Sequence, residues 1–575
     1  MRQAHCGHDG AAALIGVIVR PEQKAIVGEF FELFKTPWEF HRPGRFYDVV
    51  LAAGELPEVK TKLLIIYSSE RIAFDGSNRL ETGSKLNRGS LIWDDKNVPL
   101  YRGLLPFVTY AEGVSCLASR AGSAGVVFSE QNPRVIRAGF SLFEEVAFLV
   151  GEGQPVEQAQ IPTLDLHIDI LRRWILRAGI SLVEIGPSPA GYEFTVCLTH
   201  DIDFTGIRNH RFDHSMWGFV YRAGAGSILN LVRGRISPAR LFQNWRAVAS
   251  LPFVYLGWAR DFWAPFAWYL EAEKELPATY FLIPFKKRAG EKVPGRRAAR
   301  RAAQYDVSEL SDWTEVLLRS GCEIGVHGID AWHSAERGRE ELGRVSGATG
   351  NQQTGIRMHW LLRDELTAAT LEQAGFSYDS TVGYNEAVGY RAGTKQVYRS
   401  PGAEKMLELP LHIQDGALFF PQRMNLSECN AAEVCQRMID NARKSGGVLT
   451  VLWHDRSHGP ERFWGDFYLG LIKSLRELKV WFATGSQAVD WFRTRRGVRF
   501  EVDESLGDTD IQIHSEQVEI HPPLSIRIYR PERPGEHGGA RVLASFAEIP
   551  WTGESPKYVA LEIAARSELA SGIPL

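Results

Sequence analysis

Through the middle of the chain, short apolar runs alternate with stretches whose apolar residues recur every three to four positions. Continuous apolar runs bounded by turn formers predict buried strands, and the 3.6-residue spacing predicts helices that pack by one face. Read this way, residues 194–198, 279–283, 323–326, 355–358, 378–380, 407–411 and 448–453 are strands. Residues 308–319, 363–374, 431–444 and 464–478 are amphipathic helices between them. Strands alternating with helices predict an α/β unit with a mostly parallel sheet, here a distorted (β/α)7 barrel over residues 191–496. Polar chemistry in such a fold collects at the carboxyl ends of the strands.

The flanks read differently. Residues 1–190 hold strand patterns at 63–67 and 125–128 and helical patterns at 142–149 and 166–178, which predict a separate N-terminal α/β accessory domain. Residues 151–163, with Gly, Pro and Gln, read as a linker. After residue 497 the helical spacing stops. Alternating runs at 511–514 and 524–529, with Pro522, Pro523, Pro531 and Pro534 in the turns, predict a small C-terminal β-rich domain over 497–575.

Between the first two barrel strands lies an aromatic and basic insertion, about 212–275, with Trp217, Trp245, Trp258 and Trp263 among Arg222, Arg233, Arg235 and Arg240. Helices packing on the barrel with extended arginines, a peripheral membrane contact and a sugar-binding wall all fit this composition. The basic run 286–301 reads as a solvated loop or helix.

Length and charge narrow the class. At 575 residues the chain exceeds one core and predicts two or three domains. Sixty-six basic against 69 acidic residues give a formal net charge of -3, without the excess of Lys and Arg that a nucleic-acid partner would call for. Six cysteines (Cys6, Cys116, Cys197, Cys322, Cys429, Cys435) show no paired or metal-type spacing and read as free thiols of a reducing compartment. The apolar run 11–19 lacks a basic region before it and a small-residue cleavage site after it, and no run is long enough to span a bilayer. The expectation is a cytoplasmic protein, with membrane association through the insertion as one option and the oligomeric state open.

Reading only the ends of the proposed strands collects Asp201 and Asp203, then His327 with Asp330 and His333, then Arg357 and His359, then Asp415, then His454 with Asp455. Asp203, Thr205 and Gly206 place a turn directly after the first strand. If a helical turn follows His327, Asp330 lies about 60° and His333 about 120° from it around the axis. Asp203, His327 and one of His333 or Asp330 would then form a three-ligand site for a transition metal, with positions left for water and substrate. The corresponding chemistry is hydrolysis at a carbonyl. Asp201 removes a proton from water, His454 protonates the departing nitrogen, Arg357 holds Asp201, and Asp415 orients His454.

These motifs resemble a known family. Leu198-Thr199-His200-Asp201-Ile202-Asp203, Glu323-Ile324-Gly325-Val326-His327-Gly328, Gly355-Ile356-Arg357-Met358-His359-Trp360, Tyr378-Asp379-Ser380-Thr381-Val382-Gly383, Glu408-Leu409-Pro410-Leu411 and Leu452-Trp453-His454 are similar to those of the polysaccharide deacetylases of carbohydrate esterase family four, over about residues 192–495. The resemblance implies a distorted (β/α)7 barrel, a divalent metal, commonly zinc, and removal of N-acetyl groups from amino-sugar polymers or glycan precursors. It places the base on Asp201, metal ligands on Asp203 and His327, the third-motif arginine on Arg357 and the acid on His454. Two departures stand out. The family's second metal histidine falls four positions after the first, where this chain has Ala331, so the third ligand stays open between Asp330 and His333. The third motif continues in the family with proline, and here with Met358, His359 and Trp360. His359, Trp360, Tyr390, Arg391 and Trp453 are candidates to contact the sugar. An amidase on the same barrel and a non-catalytic glycan-binding scaffold are the alternative readings.

Overall fold

The computed structural model describes residues 13–53, 58–292, 298–351, 353–503, 510–531, 545–554 and 557–559. Cys6, Pro534 and part of the basic run, 293–297, lie outside them. The chain divides into two compact units, one of residues 1–192, 392–398 and 490–575, the other of residues 193–391 and 399–489.

The second unit is mixed α/β around a parallel half-barrel sheet. Its strands are β1 (Phe194–Ile202), β2 (Ala278–Leu282), β3 (Glu323–Gly328), β4 (Ile356–Met358), β5 (Tyr378–Asp379), β6 (Leu407–Glu408), β7 (Ile413–Gln414), β8 (Val448–Leu452) and β9 (Val480–Phe482). They lie in the order β6-β5-β4-β3-β2-β1-β8-β7, and β9 pairs with the start of β1. Every pairing is parallel, so all the strand carboxyl ends open on one side. Of the run expected at 407–411 only Leu407–Glu408 is strand, since Pro410 supplies no amide donor to carry the ladder on, and β7 starts beyond it at Ile413.

These runs form strands because both faces are covered. All nine residues of β1 are buried, as are all of β2, β3 and β8, which is why they read as unbroken apolar stretches. Burial of large side chains such as Phe194, Tyr280, Ile324 and Leu449 in one core supplies the main drive, roughly 1.5–3 kcal/mol for each. Helices α1 (His214–Tyr221), α2 (Pro238–Tyr255), α3 (Ala335–Thr349) and α4 (Glu428–Ser445) belong to the same unit. The first two lie in the insertion, with further helical turns at 222–232 and 266–272. The insertion has a core of its own around Ile207, Phe219, Leu251, Val254 and Trp263.

The first unit contains an 11-stranded mixed sheet whose inner strands include Phe46–Ala52, Lys60–Tyr67 and Gly122–Phe128. The expected division into three parts differs here: residues 490–575 group with the N-terminal residues. Strand Leu524–Tyr529 pairs antiparallel with Leu182–Ile185. The buried Arg495 donates to the carbonyls of Glu32, Leu33, Ile185 and Gly186. A guanidinium with that many carbonyl partners ties distant segments together more firmly than a linker would. Among the described residues, no helix is long and apolar enough to cross a membrane.

Candidate active site

β1 carries Asp201 and leads directly into Asp203. Strand alternation places Thr199, Asp201 and Asp203 on one face and His200 on the other. His200 faces the surrounding helices, its ring held between Glu273 Oε1 (2.7 Å) and the carbonyl of Trp453 (2.8 Å). The strand runs on through Asp201 to Ile202, four residues beyond the expected end, and the turn begins at Asp203.

Asp201 is nearly inaccessible, and its Oδ1 accepts from Arg357 Nη1 at 3.0 Å. Arg357 is itself fully buried. It also donates to Thr199 Oγ1 (2.8 Å), the Ser380 carbonyl (3.0 Å) and Ser380 Oγ (2.8 Å), with Phe281 under its plane. A guanidinium held at four points cannot swing away, so the carboxylate it bonds is fixed as well.

Asp203 Oδ1 is buried and accepts no hydrogen bond of good geometry. Around it stand His359 Nδ1 at 3.1 Å and His327 Nε2 at 3.5 Å, and these two nitrogens are 2.8 Å apart. Burial works to raise Asp203, but the two histidines hold it well below the usual carboxylate range. His327 Nδ1 lies 3.0 Å from the Arg357 carbonyl and must donate there, which leaves Nε2 as the ring atom that faces Asp203. Among the described residues, Asp203, His327 and His359 form the group able to hold a metal ion. Two nitrogens and an oxygen at mutual distances of about 3 Å match the ligand separations around a divalent ion bound at about 2.0–2.1 Å. The donor set therefore fits the metal that the motifs imply.

The third position differs from both candidates expected. Asp330 is buried, but its Oδ1 accepts from the Glu291 amide (2.8 Å) and lies 3.3 Å from His333 Nε2, and neither residue joins the group. The chain turns away after Gly328 because buried Glu341 on α3 accepts the amides of Ile329 (2.9 Å) and Asp330 (2.7 Å). His359, expected to contact sugar, stands in the third position. It is carried one residue past β4, where Trp360 (φ 64°) and Leu361 (φ 53°) take left-handed conformations. Such backbone is costly for bulky residues and persists where the surroundings impose it. Sequence spacing held one usable signal: His359 is two positions after Arg357, where alternation returns a side chain to the same face.

Across the cavity, His454 Nδ1 meets Asp415 Oδ1 at 2.6 Å, while the His454 amide (2.9 Å) and Ser457 Oγ bond the other oxygen. Burial would lower His454, but Asp415 raises it to about 9. Burial would raise Asp415, yet His454 and Ser457 bring it down to about 2. At neutral pH the pair is an imidazolium beside a carboxylate, an acid ready to give a proton from Nε2. Asp455, which follows His454 at the same strand end, lines the same cavity; burial and then Asp203 push it up to about 7.

Asp201, Asp203, His327, His359, His454 and Asp455 all line one cavity of about 380 Å³. Trp360 lines it too, whereas Tyr390, Arg391 and Trp453 do not. Tyr390 packs on His412, Arg391 donates to the Gly383 carbonyl (3.0 Å), and Trp453 is sandwiched with Phe467 and Tyr468 in the core. The part that sequence did not indicate is the wall: Arg423, Arg456 and Arg462 face the cavity.

No protein-family model and no curated protein matches the chain. Solved structures do. The carbohydrate deacetylase Agd3 is 10% identical, with 96% of this chain and 99% of that one covered and a TM-score of 0.35. The allantoinase Puue is 15% identical over 53% of this chain and 92% of that one, TM-score 0.32. The polysaccharide deacetylase Bc1974 from Bacillus cereus is 13% identical over 51% and 91%, TM-score 0.24. Polysaccharide and carbohydrate deacetylases are thus among the solved structures to which this chain is similar.

Proposed function

We propose that the cavity hydrolyses the N-acetyl amide of an amino sugar within a glycan, polysaccharide or glycan precursor, on a distorted (β/α)7 frame. The observation that carries this reading is the placement, in one cavity, of an Asp–His–His cluster, a clamped carboxylate and an imidazole bonded to the buried Asp415. Asp203, His327 and His359 would hold a divalent ion, zinc by its preference for imidazole and carboxylate together. Bound there, the ion supplies Lewis-acid polarisation of the amide carbonyl. Asp201, fixed by Arg357, takes the proton from the attacking water. His454 delivers the Nε2 proton to the sugar nitrogen as the C–N bond breaks, and Asp415 keeps its ring oriented and charged. Trp360 stands where it can stack on the sugar.

The test is release of acetate from N-acetylglucosamine oligomers and from acetylated acidic glycans by the zinc-loaded protein. Acetate release that is lost in H454A supports the reading. A zinc-loaded protein that releases none from any acetylated glycan overturns it and favours an amidase acting on another C–N bond.

A further inference from the structure

The insertion has two apolar faces where one suffices for folding. On α2 the buried residues Asn244, Ala247, Leu251 and Val254 face the insertion's own core. At 100° per residue, Phe242, Trp245, Ala249, Phe253 and Leu256 fall within about 80° of one another on the opposite side. All five are exposed, Phe242 at 66% and Leu256 at 58%. The preceding helical stretch repeats this outward display with Tyr221 (70%) and Val232 (79%), and Trp258 (75%) follows α2. Isolated exposed apolar residues are ordinary on a protein surface, but a contiguous apolar helix face with three aromatic rings is not.

Charge separates the occupants. Residues 211–260 contain seven arginines and one acid, Asp213, in a chain whose net charge is -3. Asp213 is engaged in capping α1 and in a 2.7 Å contact with His210. Arg222 and Arg240 are paired with Glu461 and Glu428, whereas Arg233, Arg235 and Arg246 are exposed and, among the described residues, in no ion pair. A second copy of this face would bring like charges together. An anionic bilayer satisfies both features, since aromatic side chains settle at the headgroup level and arginines meet lipid phosphates. We propose that the insertion docks the protein on the surface of an anionic membrane, with Phe242, Trp245 and Phe253 entering the headgroup layer. Because α1 also lines the cavity through His214, Ser215 and Gly218, docking brings the cavity mouth close to the bilayer.

The test is sedimentation of the full chain with vesicles of phosphatidylcholine alone and with about 30% phosphatidylglycerol. Binding should need the anionic lipid, weaken with salt, and fall by about fivefold for each arginine removed in R233Q, R235Q and R246Q. F242S/F253S should lose binding as well, with an unchanged melting temperature as the control for folding. Protein that stays with the supernatant on anionic vesicles overturns the proposal. So does F242S/F253S binding like the native chain, or converting a dimer to a monomer while leaving sedimentation unaltered.

A separate observation concerns the cavity wall. Arg456 lies over the rings of Phe204 (4.2 Å) and Trp263 (5.0 Å) with a buried Nε that has no hydrogen-bond partner. Arg462 and Arg423 approach the ring of Phe420, at 5.0 and 5.3 Å. Burial, and then Arg462, bring Arg456 down to about 10. Among the described residues none of the three is in an ion pair, although Arg–aromatic packing of this kind presets a guanidinium for an oxyanion. We infer that the substrate carries an anionic group, a uronate carboxylate or a phosphate ester, seated against Arg423, Arg456 and Arg462. This rests on the deacetylase reading for its site but not for its test.

Affinity is measured by calorimetry for three N-acetylated ligands, a neutral oligosaccharide, one containing uronate and a sugar phosphate, with acetate release followed in parallel. At least one acidic ligand should bind about tenfold tighter than the neutral one, and R456Q and R423Q should bring the ratio toward one. The uronate and phosphate arms identify which anion is preferred. Equal affinity for all three, or a preference untouched in both variants, overturns the inference. Preferred binding without acetate release leaves it standing and overturns the deacetylase reading instead.

Discussion

At the residue scale, the division of labour between Asp201 and Asp203 is set by what surrounds each. Asp201 is in β1 and Asp203 just past its end, but Arg357 takes the first and two imidazoles take the second. D201N should therefore keep the ion while losing turnover by about 10² or more, a difference read by comparing kcat with metal content. Near-normal kcat would remove Asp201 from the proton path. His454 makes the second prediction. Raised to about 9, it is protonated through neutral pH and loses its proton above that value, so kcat/KM should fall on the alkaline side near pH 9. D415N removes the charge responsible, and the alkaline limb should move down toward the ordinary histidine range. A limb that stays in place would assign it to another group. For stability the sign is the same: a raised imidazole contributes fully below its unfolded pKa, about 6.5, and the contribution is lost as pH rises through about 9.

At the scale of elements, strands were the legible part and the loops at their ends were not. The seven apolar runs were visible because residues buried on both faces must be continuously apolar. α3 was missed, since three small glycines and a charged outer face blur its apolar spacing. The loop after His327 misled more seriously, because Asp330 and His333 have the right chemistry and the wrong direction. That direction is decided by Glu341, remote in spacing, which captures two backbone amides. Its carboxyl is raised to about 7 by burial. E341A should leave both amides unpaired at a cost of about 2 kcal/mol or more, measured as a lower denaturation midpoint. An unchanged midpoint would mean that the loop is held by other contacts. The grouping of His359 with Asp203 and His327 was hidden for a related reason: its approach depends on left-handed backbone at Trp360 and Leu361, which no side-chain pattern announces.

At the scale of the whole molecule, chain order and spatial grouping part company. Composition separated residues 497–575 as a module, yet strand Leu524–Tyr529 completes a sheet with Leu182–Ile185, and Arg495 is bound by carbonyls of residues 32, 33, 185 and 186. Long-range strand pairing of this sort leaves no local signal. A chain ending at residue 496 should melt lower than the full chain; one melting at the same temperature would make residues 497–575 the separate domain that composition suggested.

Metal binding at this site requires Asp203, His327 and His359, from three different strand ends, to act as one ligand set. Zinc stoichiometry after equilibrium dialysis, followed by elemental analysis of the native chain and of D203A, H327A, H359A and H333A, tests this most directly. One ion per native chain, retained in H333A and lost in each of the other three, is the predicted result. A native chain without stoichiometric zinc, or an H359A variant that keeps it while H333A does not, would contradict the account.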